Sequence, residues 1–280
     1  MLNRSAVAAL ALAAALLLPA ASALAFDESK YPDFSGQWRR PPGVGISWDQ
    51  TKSTGLAQQA PLTPEYQKIF EASLADQAAG GQGRDWPARC MPFGLPRIMT
   101  VVFPMEIVIT PNVTYMLFDY AMQRRILTDG RSFPKEEGEP TFYGLSIGKW
   151  VDEDGDGKYD VLEIETRGFR SPRSYEATGL PLHDDGESVI TERVFIDKAD
   201  KDTLHDVITV NDHALTRPWT VDKRYKREPN PIWYQLSCSE DNRHVYLGNE
   251  HYFVSGDDKL MPSKKDQAPP DLSYFKTTKK

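Results

Sequence analysis

The chain has 280 residues, 33 Lys+Arg, 40 Asp+Glu and a formal net charge of −7. The acidic balance excludes a general nucleic-acid binder, which needs a basic surplus to track phosphates. A hydrophobic share of 40% with 11% aromatics excludes a disordered chain and supplies a large core for one domain or two.

The first 25 residues read as a leader. Arg4 precedes an apolar run from Ala6 to Leu18, and Ala23-Leu24-Ala25 offers a small-residue cleavage site before Phe26. That is the pattern of a secretory signal peptide. A short membrane anchor is the alternative. The run falls short of a spanning helix, and no later stretch reaches the ~18 apolar residues one needs. Export also fits the two cysteines, Cys90 and Cys238. An oxidising compartment favours a disulfide between them, with two free thiols as the alternative.

Residues 33–38 suggest a short first strand, broken by Pro41-Pro42-Gly43. A helix follows. Thr63 can cap it, Pro64 suits its first position, Tyr66, Ile69, Phe70 and Leu74 keep helical spacing, and Gly80-Gly81 ends it. From residue 97 the pattern becomes short strands. They are expected at Arg97–Phe103, Met105–Thr110, Val113–Tyr120, Arg124–Thr128, Gly144–Val151, Val161–Arg167, Ser188–Asp197, Thr203–Val210, Trp219–Arg227, Trp233–Cys238 and Val245–Gly248. So many short antiparallel strands with little helix predict a mainly β fold, a barrel or sandwich. The tail from Pro262 is expected to be mobile.

In strand 188–197 the face bearing Ile190, Val194 and Ile196 also carries Glu192. If that face is interior, Glu192 is either a catalytic acid or base with a raised pKa, or the partner of an Arg on a nearby strand, such as Arg167 or Arg125. Arg124 and Arg125 lie in a compact polar segment, and an Arg facing a barrel interior can hold a carboxylate or phenolate. Tyr120, Tyr143 and Trp219 add aromatic surface that serves as core or as a pocket wall.

Residues 152–163 match the twelve-residue calcium loop D-x-D-x-D-G-x5-E. Asp152, Asp154 and Asp156 offer carboxylates, Lys158 its carbonyl, Asp160 a water-mediated contact and Glu163 a chelating carboxylate. The flanks read as strands, so the loop tips a hairpin. An acidic, solvated turn is the alternative. The five histidines, His183, His205, His213, His244 and His251, form no compact metal motif. A composite site from distant strands stays open. Ser146 stands between Gly144 and Gly148, at the wrong spacing for a nucleophile elbow. No P-loop or dinucleotide fingerprint is present.

Several segments together resemble a family of exported, mostly uncharacterised bacterial proteins. They are residues 33–38, 61–66, 90–97, 106–108, 124–131, 144–150, Glu192-Arg193, Pro218-Trp219-Thr220 and 234–238. The resemblance covers roughly residues 33–242; it implies a lipocalin-like β-barrel, with residues 26–280 expected to form one domain, and links some relatives to breakdown of aromatic, lignin-derived compounds. It further implies cofactor-independent lyase or decarboxylase chemistry, without an organic cofactor. Where relatives often carry His, this chain has Phe133 and Leu145. His183 keeps another family histidine. On this reading the protein is periplasmic or secreted and binds a small aromatic or apolar molecule. Glu192 with His183 or His213 moves protons, Arg125 holds an anion, and Arg124, Tyr120, Tyr143 and Trp219 contact the substrate. A non-catalytic carrier and a calcium-stabilised interaction protein are the alternatives.

Overall fold

The computed structural model describes residues 26–119, 122–135, 138–233, 237–238 and 243–273. The leader and Tyr120 therefore lie outside the described residues. Nine strands close into a barrel in sequence order. They are β1 (Gln37–Arg39), β2 (Met105–Ile109), β3 (Val113–Phe118), β4 (Met122–Leu127), β5 (Leu145–Val151), β6 (Val161–Arg167), β7 (Val189–Ile196), β8 (Thr203–Asn211) and β9 (Trp219–Arg227). β1 closes the ring by pairing with both β2 and β9.

Every neighbouring pair is antiparallel except β4 and β5, which run parallel and pair only at Ile126↔Ser146 and Leu127↔Ile147. Parallel neighbours cannot be joined by a tight hairpin. The connection between them, described over residues 128–135 and 138–144, is accordingly long.

Strand alternation sets the interior. Ile107, Met116, Ile126, Leu162, Ile164, Ile190, Val194, Leu204, Ile208, Val210 and Val221 are buried, on faces of period two. Gly148 is on the inner face of β5, where an added Cβ would meet Ile126 Cγ2 at 2.6 Å. A methyl there would force the Ile126 and Leu162 side chains to shift.

The one long helix among the described residues, α1 (Pro64–Ala78), begins as its sequence predicts. The Thr63 side chain accepts from the Tyr66 N–H, and Pro64 opens the first turn. Tyr66, Phe70 and Ser73 form its buried face, and the Ser73 hydroxyl donates to the Thr178 carbonyl at 3.0 Å.

The strand expected at Arg97–Phe103 is a correction. Arg97–Thr100 form a 3-10 helix, with the Ile98 N–H bonded to the Gly94 carbonyl at 2.8 Å. All four of its residues are buried, so the segment shows no alternation that separates strand from helix. It packs with residues 40–48: Arg40 donates to the carbonyls of Thr100 at 2.6 Å and Ser47 at 2.7 Å.

A second sheet joins β10 (His244–Leu247), β11 (Glu250–Val254) and β12 (Leu260–Pro262). Cys90 and Cys238 form a disulfide with Cα atoms 5.6 Å apart. Of the strand expected at Trp233–Cys238, residues 234–236 lie outside the described residues. Pro262 ends β12, and the Ser263 hydroxyl donates to the His251 carbonyl at 2.9 Å. Among the described residues no helix is long and apolar enough to cross a membrane.

Candidate functional site

Polar side chains punctuate the inner faces. Arg124 on β4 and Glu192 on β7 meet across the barrel, and both are at most 1% exposed. Arg124 donates to Glu192 Oε1 at 2.7 Å and also to Oε2. Its remaining donors reach Thr166 Oγ1 at 3.1 Å and Ser146 Oγ at 3.3 Å. The partner of Glu192 is thus Arg124, not Arg125 or Arg167. Arg167 faces outward and pairs with Glu165 at 2.5 Å. Arg125 is exposed, with its guanidinium 5.9 Å from the Tyr115 ring. Parity explains this, because adjacent residues on a strand point to opposite faces.

Asp206 on β8 and Lys223 on β9 join this interior. They are cross-strand partners and fully buried. Neither Asp206 oxygen has a hydrogen-bond partner. Burial pushes its carboxyl well above the usual range, and the Glu192 charge adds to the shift. Burial holds Lys223 well below its ordinary value, with Arg40 contributing. Its ammonium donates to the Trp48 carbonyl and sits 4.1 Å from the Trp48 ring centroid. Sequence reasoning missed both residues. The signal was the one that singled out Glu192: a charged residue on a face of Leu204, Ile208 and Val210, or of Trp219, Val221 and Tyr225.

The seam between β4 and β5 has a cavity. Because those strands pair only at their Ile126 and Leu127 end, the other half of β4 has no strand partner on that side among the described residues. A cavity of about 340 Å³ occupies the gap, walled by Arg124, Arg125, Tyr143, Leu145 and Ser146. It shares Thr141, Gly144 and Leu145 with a second cavity of about 500 Å³, walled also by Phe133, Lys135 and Arg167. Burial pushes the Tyr143 hydroxyl up to about 12, so it stays a donor at neutral pH. That hydroxyl is buried away from solvent, with the Gly94 N–H as a polar neighbour. The Arg167 guanidinium lies 5.0 Å from the Phe133 ring centroid. The groove therefore joins apolar walls to positive charge. Phe133 and Leu145 both line it.

Of the expected site residues, Arg124, Arg125 and Tyr143 come together at this groove, with Glu192 behind Arg124. His183 and His213 do not join them. They lie at the barrel rim, in the segment before β7 and in the β8–β9 loop, and share Asp185. Trp219 is buried 5.2 Å from Tyr175 and 6.2 Å from Trp48.

The acidic loop tips the β5–β6 hairpin. Its carboxylates accept from the loop's own backbone. Asp152 takes the N–H groups of Gly155 at 2.7 Å and Gly157 at 2.9 Å. Asp156 takes that of Lys158 at 2.8 Å, and Asp160 that of Glu153 at 2.8 Å. Oxygens of Asp152, Asp154 and Asp156 lie within 4.8 Å of one another, which suits one hard cation. Glu163, the expected chelator, is turned to Arg193 at 3.6 Å. The donors fit calcium in part.

This fold is a closed β-barrel compatible with a lipocalin-like architecture, and it suits a small-molecule binding protein. No family model, no curated protein and no solved structure matches the chain.

Proposed function

We propose that this is an exported β-barrel protein, periplasmic or secreted, that binds a small aromatic or apolar molecule bearing an anionic group in the β4–β5 groove. The observation that carries the reading is the half-unpaired seam, where Arg124 and Arg125 border walls that include Leu127, Tyr143 and Leu145. Apolar lining with a few convergent polar groups is the common design of small-molecule sites. Arg125 and Lys135 take part in no ion pair among the described residues and are available to an anion.

Binding supports the geometry better than the lyase reading. Glu192 is spent on Arg124, and neither rim histidine reaches it. The disulfide and the leader-like segment support export.

The test is calorimetric titration of residues 26–280 with aromatic carboxylates and phenolates, against uncharged aromatic alcohols, with products read by mass. Saturable binding of the anionic set is expected. Arg125→Glu should weaken it by about 10-fold or more, equivalent to ~1.4 kcal/mol, and Leu145→Trp should block the groove. Equal binding by both variants refutes the groove. A product lost in Glu192→Gln reinstates the lyase reading.

A further inference from the structure

Outside the groove, two rim loops bring three metal-ligating side chains to one point. Asp185 Oδ2 lies 2.9 Å from His183 Nδ1 and 2.6 Å from His213 Nδ1. Glu187 Oε2 stands 4.0 Å from His213 Nδ1. The three ligand atoms of His183, Asp185 and His213 lie within 4.8 Å of one another.

The loops that carry them are held in place. The Asp212 carboxylate accepts from the His183 N–H and the Ala214 N–H, each at 2.9 Å. One side chain thereby fixes the backbone on both sides of the gap. The Ser188 hydroxyl donates to the other Asp212 oxygen at 2.5 Å, and Arg173 donates to Ser188 at 2.6 Å. The Ala214 carbonyl accepts from the Thr63 N–H at 2.8 Å, which ties the loop to the start of α1. The Tyr66 ring packs 5.1 Å from the His183 ring. The ligands stand on a braced platform rather than on free loops.

The protein's own hydrogen bonds leave a mismatch here. His183 Nδ1 stands 3.2 Å from the Asp185 N–H, a donor. The same nitrogen faces the Asp185 carboxylate, an electron-rich group. Asp184, Asp185, Glu187 and Asp212 make the surroundings acidic. Their nearby cations are engaged elsewhere: Arg84 with Asp184 at 3.2 Å, and Arg173 with Ser188 and the Leu95 carbonyl. A bound cation would replace the Asp185 N–H as the partner of His183 Nδ1 and offset the surrounding negative charge.

We propose that His183, Asp185 and His213 bind a divalent transition ion of the zinc type, with Glu187 or water as fourth ligand. Two imidazoles and one carboxylate select zinc, nickel, cobalt or copper over calcium and magnesium, which require oxygen donors. Donors about 2.0–2.2 Å from zinc in a tetrahedron stand roughly 3.3 Å apart. The two histidine-to-Asp185 separations, 2.9 and 2.6 Å, open to that value by about 0.4 and 0.7 Å. His213, with its side chain 63% exposed, is free to make that movement. The site is independent of the groove.

The test uses the untagged protein stripped with chelator, then titrated with Zn²⁺ and separately with Co²⁺, whose visible absorption reports its ligands. One equivalent should bind, and Ca²⁺ should not compete. His183→Ala, His213→Ala and Asp185→Asn should each weaken binding by more than the roughly 10–100-fold that an outer partner is worth. Asp212→Asn should fall within that range. His251→Ala removes a histidine paired with His244 at 2.8 Å and should leave affinity unchanged. Melting curves confirm that each variant folds, and the exposure of His213 makes His213→Ala the safest. Binding that survives His213→Ala, or falls only in His251→Ala, or exceeds one equivalent with no effect of the variants (an adventitious ion only), overturns the proposal. So does absence of binding at millimolar zinc.

Discussion

Removing one end of the Arg124–Glu192 pair and removing both ends should have opposite consequences. The pair is sealed inside the barrel, with Arg124 1% exposed and the Glu192 side chain 0%. Arg124→Met leaves the Glu192 carboxylate without its counter-charge and without two donated hydrogen bonds. Ser146 and Thr166 keep their mutual contact at 2.8 Å, so they add little to the loss. Breaking a buried pair from one side costs about 3–5 kcal/mol, whereas replacing both ends by apolar residues is often neutral. Arg124→Met and Glu192→Leu should each lose about that amount at pH 7.5, and the double variant should recover most of it. The pH response separates the two singles. In Arg124→Met the orphaned carboxyl can enter the fold protonated. The folded state then holds a proton that the unfolded chain releases, so the loss is small at low pH and grows as pH rises. In Glu192→Leu the orphan is a guanidinium that does not deprotonate, so any pH dependence there comes from Asp206, which loses the Glu192 charge that helped raise it. Urea unfolding of the four proteins at pH 5 and pH 7.5, with the disulfide intact, reads both effects. A loss below about 1 kcal/mol in either single variant, against the 3–5 expected, refutes the sealed interior. A pH-independent loss in Arg124→Met does the same.

Four further outcomes follow from the same structure. Asp206→Asn should flatten the pH dependence of stability. The raised carboxyl makes its full contribution below the unfolded aspartate value near 3.8 and loses it as pH rises through the folded value. The variant should therefore gain on the wild type from pH 4 upward, and parallel curves would count against this. Gly148→Ala forces a methyl against Ile126 and Leu162 and should lower stability by about 1–3 kcal/mol, read by thermal melting. Reducing the Cys90–Cys238 bond, whose ends are 148 residues apart, frees a loop worth about 5 kcal/mol in the chain-entropy model. A Cys90→Ser/Cys238→Ser protein unchanged in urea midpoint would contradict that. The acidic loop is proposed to take calcium weakly. With a dissociation constant of about 10⁻³ M, 10 mM calcium adds ~1.4 kcal/mol, or roughly 3–6 °C in melting temperature. Asp154→Ala should abolish that increment.

Local signals determined much of this protein. Thr63-Pro64 and the spacing of Tyr66 and Phe70 marked α1 because a cap and an apolar stripe are read from consecutive residues. Alternation marked the barrel strands, and Val161–Arg167 and Trp219–Arg227 match their observed bounds. The same alternation placed Glu192 inside. Its partner was not legible. β4 and β7 are not neighbours in the sheet, so only barrel closure brings their inner faces together. A one-residue parity then puts Arg124 inside and Arg125 outside, and the sequence presents the two as equals. The 3-10 turn at Arg97–Thr100 was lost because a fully buried segment shows no period. The groove exists because β4 and β5 pair in parallel over two residues, a choice made by the whole ring. His183 and His213 are 30 positions apart in the sequence and meet only because Asp212 holds both loops at the rim. Side-chain periodicity is local and is written in the chain; contacts across a lumen or between loops depend on closure, which every strand sets together.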